Sequence, residues 1–342
     1  MNHLKIITRE ELDALTSKRD GETKLGETVQ CLDITDWQDS LKASTASFVL
    51  LGIPEDIGVR ANYGVGGTQT LWQPALKAIL NVQDTALLRG NQIVVLGAFD
   101  FAAMMEESKG KKAEELRESV SHIDDAVFPV IKAIADAGKI PVVIGGGHNN
   151  AYPILKAISK SKGRAVNCIN LDAHSDYRSV EGRHSGNGFR YAKMEGYLRR
   201  YAVVGLHRNY NSQNMIDEMA SDPDIHLSFY EDVFIEEKNS FKNVLDNAIR
   251  FTAGTPVGVE IDLDCIERTL SSAATPCGIS SLQARQFLFY AARFTEAAYL
   301  HLPEGCIRLE DGREDRMTAK LASYLVTDFM RNCSNRQTTF IQ

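Results

Sequence analysis

Residues 140–150 read IPVVIGGGHNN, residues 165–176 read AVNCINLDAHSD, and residues 256–264 read PVGVEIDLD. Each is a short apolar run ended abruptly by residues that carry chemistry. Continuous rather than alternating apolar character is what a strand covered on both faces produces. Working outward, further runs of this kind stand at 47–53 (SFVLLGI), 91–97 (NQIVVLG), 201–206 (YAVVGL) and 297–302 (AAYLHL). Helical periodicity fills the intervals near 112–138, 149–161, 212–221, 240–253, 281–295 and 313–332. In the first of these, Leu116, Val120, Ile123, Val127, Ile131 and Ile134 fall on one face, and Gly138 stands where a helix terminates. Strands and helices alternating this often predict βαβ units, and so a three-layer α/β/α sandwich around a mostly parallel sheet. Residues 1–45 are mixed and polar and are expected to form an N-terminal cap on a single domain of residues 46–342.

The chain has 342 residues, of which 44% are hydrophobic and 24% charged, so a sizeable folded core is expected. Acidic residues outnumber basic ones, 45 to 38, for a net charge of −7, which argues against nucleic acid or an anionic membrane as a partner. No apolar stretch is long enough to span a bilayer, and the first twenty residues lack the apolar core of a signal peptide. Six cysteines without a C-x-x-C spacing read as reduced, packed thiols of a cytoplasmic protein.

Ligands of open α/β sheets bind beyond the carboxyl ends of the strands, and three motifs stand there. Gly145-Gly146-Gly147 permits a sharp turn that delivers His148 at a strand tip. In Asp172-Ala173-His174-Ser175-Asp176, an extended chain would place the two carboxylates and the imidazole on one side. Asp262 and Asp264 share the same spacing, with Leu263 turned toward packing and Glu260 deeper in the strand. Carboxylates held this close repel unless a cation lies among them. Four aspartates and two histidines exceed what one ion with open positions needs and suit two ions sharing carboxylates. Oxygen-rich ligation with imidazole and no thiolate favours Mn²⁺ over structural Zn²⁺.

The series GGGH, DAHSD and D-L-D, in this order, resembles the ureohydrolase family of arginases, agmatinases and formimidoylglutamases. Residues 51–80 (LGIPEDIGVRANYGVGGTQTLWQPALKAIL) resemble that family's first strand and loop, and the resemblance runs over about 47–330. It implies a mostly parallel, roughly eight-stranded arginase-like sheet and a trimeric or hexameric homo-oligomer. It also implies two Mn²⁺ per chain, with His148 and Asp176 on one, His174 and Asp264 on the other, and Asp172 and Asp262 bridging. Asp264 would relay a proton, and Glu304, in Leu302-Pro303-Glu304-Gly305, would orient a cationic amidine. Such an ion pair lowers the pKa of a water from 15.7 to about 7, making a nucleophile for a trigonal, nitrogen-rich carbon.

Departures from the arginase pattern bear on the substrate. Ser185 and Asn187 keep the offset of an arginase substrate-binding stretch, but Phe189 replaces the proton-shuttling histidine, with His184 a nearby stand-in at another offset. Arg178 replaces a substrate-binding asparagine, and formimidoylglutamases carry a similar DAH-x-D-x-R pattern. A guanidinium there suits a substrate carboxylate. His207-Arg208-Asn209-Tyr210-Asn211 lacks the acidic residues with which arginases grip an α-amino group. The expected reaction is hydrolysis of N-formimidoyl-L-glutamate to glutamate and formamide. The alternatives are urea release from agmatine, guanidinobutyrate or arginine, and a catalytically silent metal-binding homologue. Cys265 and Cys306, although close to the motifs, are expected to take no part.

Overall fold

A computed structural model describes residues 3–335. Among these residues nine strands make one sheet: β1 (Leu4–Ile6), β2 (Phe48–Gly52), β3 (Ile93–Phe99), β4 (Ile140–Ile144), β5 (Val166–Leu171), β6 (Leu198–Leu206), β7 (Ile225–Phe229), β8 (Val257–Ile261) and β9 (Ala297–Leu302). Their order across the sheet is β1-β3-β2-β4-β9-β8-β5-β6-β7. All neighbours run parallel except β1, which pairs antiparallel with β3.

The strand period of two divides each apolar run between two cores. Phe48 and Leu50 of β2 enter one, with the helices Trp72–Leu80, Phe241–Thr252, Ser281–Phe294 and Met317–Ser334. Val49 and Leu51 enter the other, with Ala113–Asp136 and Ala151–Lys162. That is why the runs read as continuously apolar: both faces are covered.

The seven expected runs are β2 to β6, β8 and β9. β7 escaped notice because it is an edge strand with His226 and Ser228 alternating between apolar residues. Its half-covered surface needs no continuous apolar run. The N-terminal 45 residues supply β1, place Leu12 and Leu25 in one core, and place Leu41 in the other. The stretch 51–80, expected as strand and loop, ends its strand at Gly52 and contains the helix Trp72–Leu80. Pro74 is compatible with it because the first turn of a helix needs no donor there. The last helix begins at Met317 rather than 313, because Arg308 and Glu314 pair across a turn that precedes it. No disulfide joins the six cysteines, yet only four are packed away, since Cys31 is half-buried and Cys277 exposed.

Two features of this layout position chemistry. First, β4, β9, β8 and β5 are consecutive across the middle of the sheet, and the motifs of interest leave their carboxyl ends. Second, the loop from Asp176 to Gly188 is tied down by Arg183. Its guanidinium donates to Asp124 Oδ2 (2.8 Å), Asn187 Oδ1 (2.6 Å) and the Asn149 carbonyl (2.8 Å), and lies against the rings of Tyr152 and Tyr191. Both partners of the Arg183–Asp124 pair are buried.

Breaking a buried pair by removing one member leaves a charge without compensation. Arg183→Ala is expected to cost about 3–5 kcal/mol in urea unfolding. The double variant Arg183→Ala/Asp124→Ala should recover part of that loss, and strict additivity would show that the two side chains do not act as a pair.

Candidate metal centre

After β4 the backbone turns through Gly145 (φ +87°) and Gly146 (φ +79°). A Cβ on Gly146 would lie 2.9 Å from the Ile53 carbonyl, so glycine is needed there. Buried Glu55 holds the turn by accepting from the Gly58 and Gly147 amides, each 3.0 Å, and from Asn150 Nδ2 at 2.8 Å. His148 follows as the first residue of a 3₁₀ turn and is buried.

The structure brings the six candidate ligands together. His148 Nδ1 lies 2.8 Å from Asp176 Oδ2, 3.0 Å from Asp262 Oδ2 and 3.4 Å from Asp172 Oδ2. His174 Nδ1 lies 3.4 Å from Asp264 Oδ2 and 3.7 Å from Asp172 Oδ1. Two overlapping ligand groups result, His148/Asp172/Asp176/Asp262 and Asp172/His174/Asp264, with Asp172 in both.

The convergence does not come from the extended chain that the spacing suggested. Residues 173 and 174 bend, and Asp176 adopts φ +45°, a conformation that non-glycine residues rarely take. Asp264 sits in the 3₁₀ turn Leu263–Cys265, whose start is capped by Asp262 Oδ1 accepting from the Asp264 amide at 2.8 Å. Leu263 does turn into the core. Glu304 is likewise left-handed, at φ +64°, and its Oε1 accepts from the His148 amide at 2.9 Å. Two site residues in sparsely populated backbone regions fit a place where geometry is imposed by the surroundings.

The electrostatics of this cluster call for positive charge. Burial, reinforced by the facing carboxylates of Asp264 and Asp172, pushes the Asp262 carboxyl well above its usual range. Burial and Asp264 push Glu304 up to about 8. Burial alone would depress His148 and His174, but the surrounding carboxylates hold both imidazoles well above their ordinary value. Asp264 Oδ1 is buried and has no hydrogen-bond partner among the described residues. A donor set of carboxylate oxygens and imidazole nitrogens, with one orphaned oxygen among them, fits hard or borderline divalent ions.

A cleft of about 710 Å³ opens over the cluster, lined in part by His174, Asp176, Asp262, Asp264 and Glu304. Arg178 and Ser185 also line it. Arg178 is exposed, its backbone amide is bonded to the Gly186 carbonyl, and its guanidinium has no partner among the described residues. The other arginine of the cleft wall, Arg190, is engaged by Glu218 at 2.6 Å and lies over Tyr177.

Two loop residues lie elsewhere than their offsets along the chain suggested. Asn187 does not face the cleft: its oxygen accepts from Arg183 and its amide donates to the Ser179 and Gly182 carbonyls, so it is spent inside the loop. His184 is buried, caps the turn Ser185–Asn187 by accepting from the Gly186 amide, and is depressed to about 4 chiefly by burial. Its ring lies inside the loop and does not line the cleft. Phe189 packs edge-on against His148 and stacks on Tyr201. Tyr210, which sequence reasoning passed over within HRNYN, stacks on His174 with centroids 5.1 Å apart and lines the cleft.

A family model described as the arginase family matches residues 46–330. A formimidoylglutamase from Streptococcus pyogenes is 30% identical over 249 residues, covering 69% of this chain and 68% of the relative. Among solved structures, formimidoylglutamase from Bacillus subtilis superposes with a TM-score of 0.73 at 17% identity, over 94% of this chain and 95% of that one. Formiminoglutamase from Trypanosoma cruzi with Mn²⁺ gives a TM-score of 0.70 at 21% identity, over 92% and 100%. With the family model covering the four central strands and every candidate ligand, this chain belongs to the arginase family.

Proposed function

We propose that this protein is a binuclear manganese hydrolase that cleaves N-formimidoyl-L-glutamate to glutamate and formamide in the cytoplasm. The observation that carries the substrate is Arg178: a guanidinium without a partner among the described residues, two residues beyond candidate ligand Asp176, lining the cleft over the cluster. A glutamate carboxylate would complete it with two parallel hydrogen bonds. The formimidoylglutamase name of the S. pyogenes relative supports the same substrate. Six cysteines with no disulfide among them support the compartment.

In this reading His148, Asp172, Asp176 and Asp262 would hold one ion and Asp172, His174, Asp262 and Asp264 the other. When bound, the ions supply a water acidic enough to act as a nucleophile near neutral pH. The chain's own residues do the rest. Arg178 and Ser185 fix the amino-acid end of the substrate, while Glu304 accepts hydrogen bonds from the amidinium and turns its carbon toward the cluster. Water adds to that carbon, and the bond from carbon to the glutamate nitrogen breaks. Asp264 would carry to this nitrogen the proton that the adding water gives up, so that it leaves as an amine. Formamide keeps the formimidoyl carbon and nitrogen.

Proton linkage gives the reading a signature. In the metal-free chain Glu304 at about 8, and Asp262, His148 and His174 all raised, bind protons more tightly folded than unfolded. Stability from these groups is complete below their unfolded values and is lost as pH rises through the folded ones. Asp172, held down at about 2 against its burial by the two histidines, works oppositely, but its window lies in strong acid. Metal ions replace the bound protons, so they bind better as pH rises.

The rise in melting temperature on adding Mn²⁺ should therefore be larger at pH 8.5 than at pH 6 in scanning fluorimetry. An increment that shrinks with pH would contradict the linkage. Chelation should abolish turnover and Mn²⁺ restore it, whereas Asp262→Ala should lose metal and turnover together. Full occupancy and activity in that variant would end the binuclear reading. For the substrate, Arg178→Ala should raise KM for N-formimidoyl-L-glutamate by about 10- to 150-fold, the worth of a hydrogen bond to a charged group, with kcat changed far less. Agmatine, which has no carboxylate, should be indifferent to the change. If agmatine is the better wild-type substrate, the substrate assignment fails and the hydrolase reading stands.

A further inference from the structure

On the side of His148 away from the aspartates lies a second group of buried polar side chains, contributed by β8 and β9. Glu260 and His301 are register partners across these strands, in the interior of the sheet. Glu260 Oε1 accepts from the Tyr299 hydroxyl at 2.7 Å, and Oε2 accepts from His301 Nδ1 at 2.7 Å. His148 Nε2 lies 3.5 Å from the same Oε2. All four side chains are fully buried, and in the metal-free chain His148 Nε2 makes no hydrogen bond among the described residues, Glu260 Oε2 being the acceptor placed beside it.

An imidazole has one proton to place when it is neutral and ligating. His148 Nδ1 faces Asp172, Asp176 and Asp262, so it is the nitrogen that gives its lone pair to an ion. The proton must then sit on Nε2, and Glu260 is the acceptor that lies there. A metal-bound imidazole generally passes its remaining N–H to a carboxylate or carbonyl, which fixes both tautomer and ring orientation. Tyr299 and His301 hold the carboxylate itself, one on each oxygen, so that it cannot rotate away.

We propose that Glu260 is a positioning residue that holds His148 as the Nε2–H tautomer with its Nδ1 aimed at the cluster, and that Tyr299 and His301 hold Glu260 for this task. The inference rests on the metal reading given above. His148, Glu260 and His301 also lie close enough to embrace an ion of their own. The two bonds of 2.7 Å oppose that alternative, because they already occupy both oxygens of the carboxylate with donors.

The test is Mn²⁺ titration of metal-stripped full-length protein by calorimetry and electron paramagnetic resonance, on wild type and Glu260→Gln. The glutamine keeps the shape but turns an amide N–H toward one of its two histidines. Wild type should bind two ions. In Glu260→Gln one of the two should bind about 10- to 100-fold more weakly. The metal-free melting temperature and KM should change little, and turnover should recover as Mn²⁺ is raised. Wild-type affinity in the variant overturns the proposal. So does a third ion in wild type that the variant lacks, or a fall in metal-free stability with both sites weakened alike. If Glu260→Gln does not fold, Tyr299→Phe removes only one support of the carboxylate. It should weaken the same site severalfold, and unchanged affinity there is equally fatal. Failure of wild type to bind Mn²⁺ at all would instead defeat the metal reading, and this inference with it.

Discussion

Mutual repulsion among carboxylates governs the middle of this molecule. Asp172, Asp176, Asp262 and Asp264 are gathered beyond the ends of parallel strands, where burial removes the water that would screen them. In the metal-free chain the repulsion is relieved by protons shared with His148 and His174, which is what the raised affinities of both imidazoles express. Much of the surrounding architecture reads as a response to that crowd. Glu55 pins the glycine turn, Asp262 caps its own 3₁₀ turn, and Arg183 clamps the loop beyond Asp176. A site that stores unfavourable charge needs a scaffold rigid enough to keep its members from parting, and the four central strands with both faces covered supply one.

The legible part of the sequence was the part with a simple physical signature. Buried parallel strands produce continuous apolar runs, and the residues after such runs must lie in the crevice. His148, Asp172, His174, Asp176, Asp262, Asp264 and Glu304 were all identifiable on that ground together with the family resemblance. The local conformation was not. Extended geometry was the natural reading of D-x-H-x-D, but a bend and a left-handed Asp176 do the work, because tertiary packing overrides the preference of a short segment. β7 was missed because an edge strand half open to solvent has no obligation to be apolar throughout.

Asn187 and His184 show a second kind of limit. An offset along a loop gives distance from a landmark but not the direction of a side chain, and both residues turn inward to satisfy backbone and Arg183. Arg178 and Ser185 come from the same loop and face the cleft. What separates the two pairs is where Arg183 is anchored, on a helix more than fifty residues earlier. No window of sequence contains that information. A linear reading set Glu260 deeper in its strand but gave no hint of its partners, which come from the next strand and from the turn after β4.

The strand order carries a consequence for synthesis. β4 is complete early, yet its neighbour on the side of the site is β9, which is separated from it by almost half the chain. As the chain emerges, Ile140–Ile144 therefore presents an apolar, unpaired edge while β5 to β8 are still being made. Exposed edges of this kind invite pairing with a second copy, and long-range parallel closure is slow. Ala297–Leu302 is the keystone that ends this exposure, and the same step brings Glu304 to His148. Completion of the vulnerable sheet and completion of the candidate site are one event, so a molecule that has escaped self-association is also one that has brought the last of the cleft's carboxylates to the cluster.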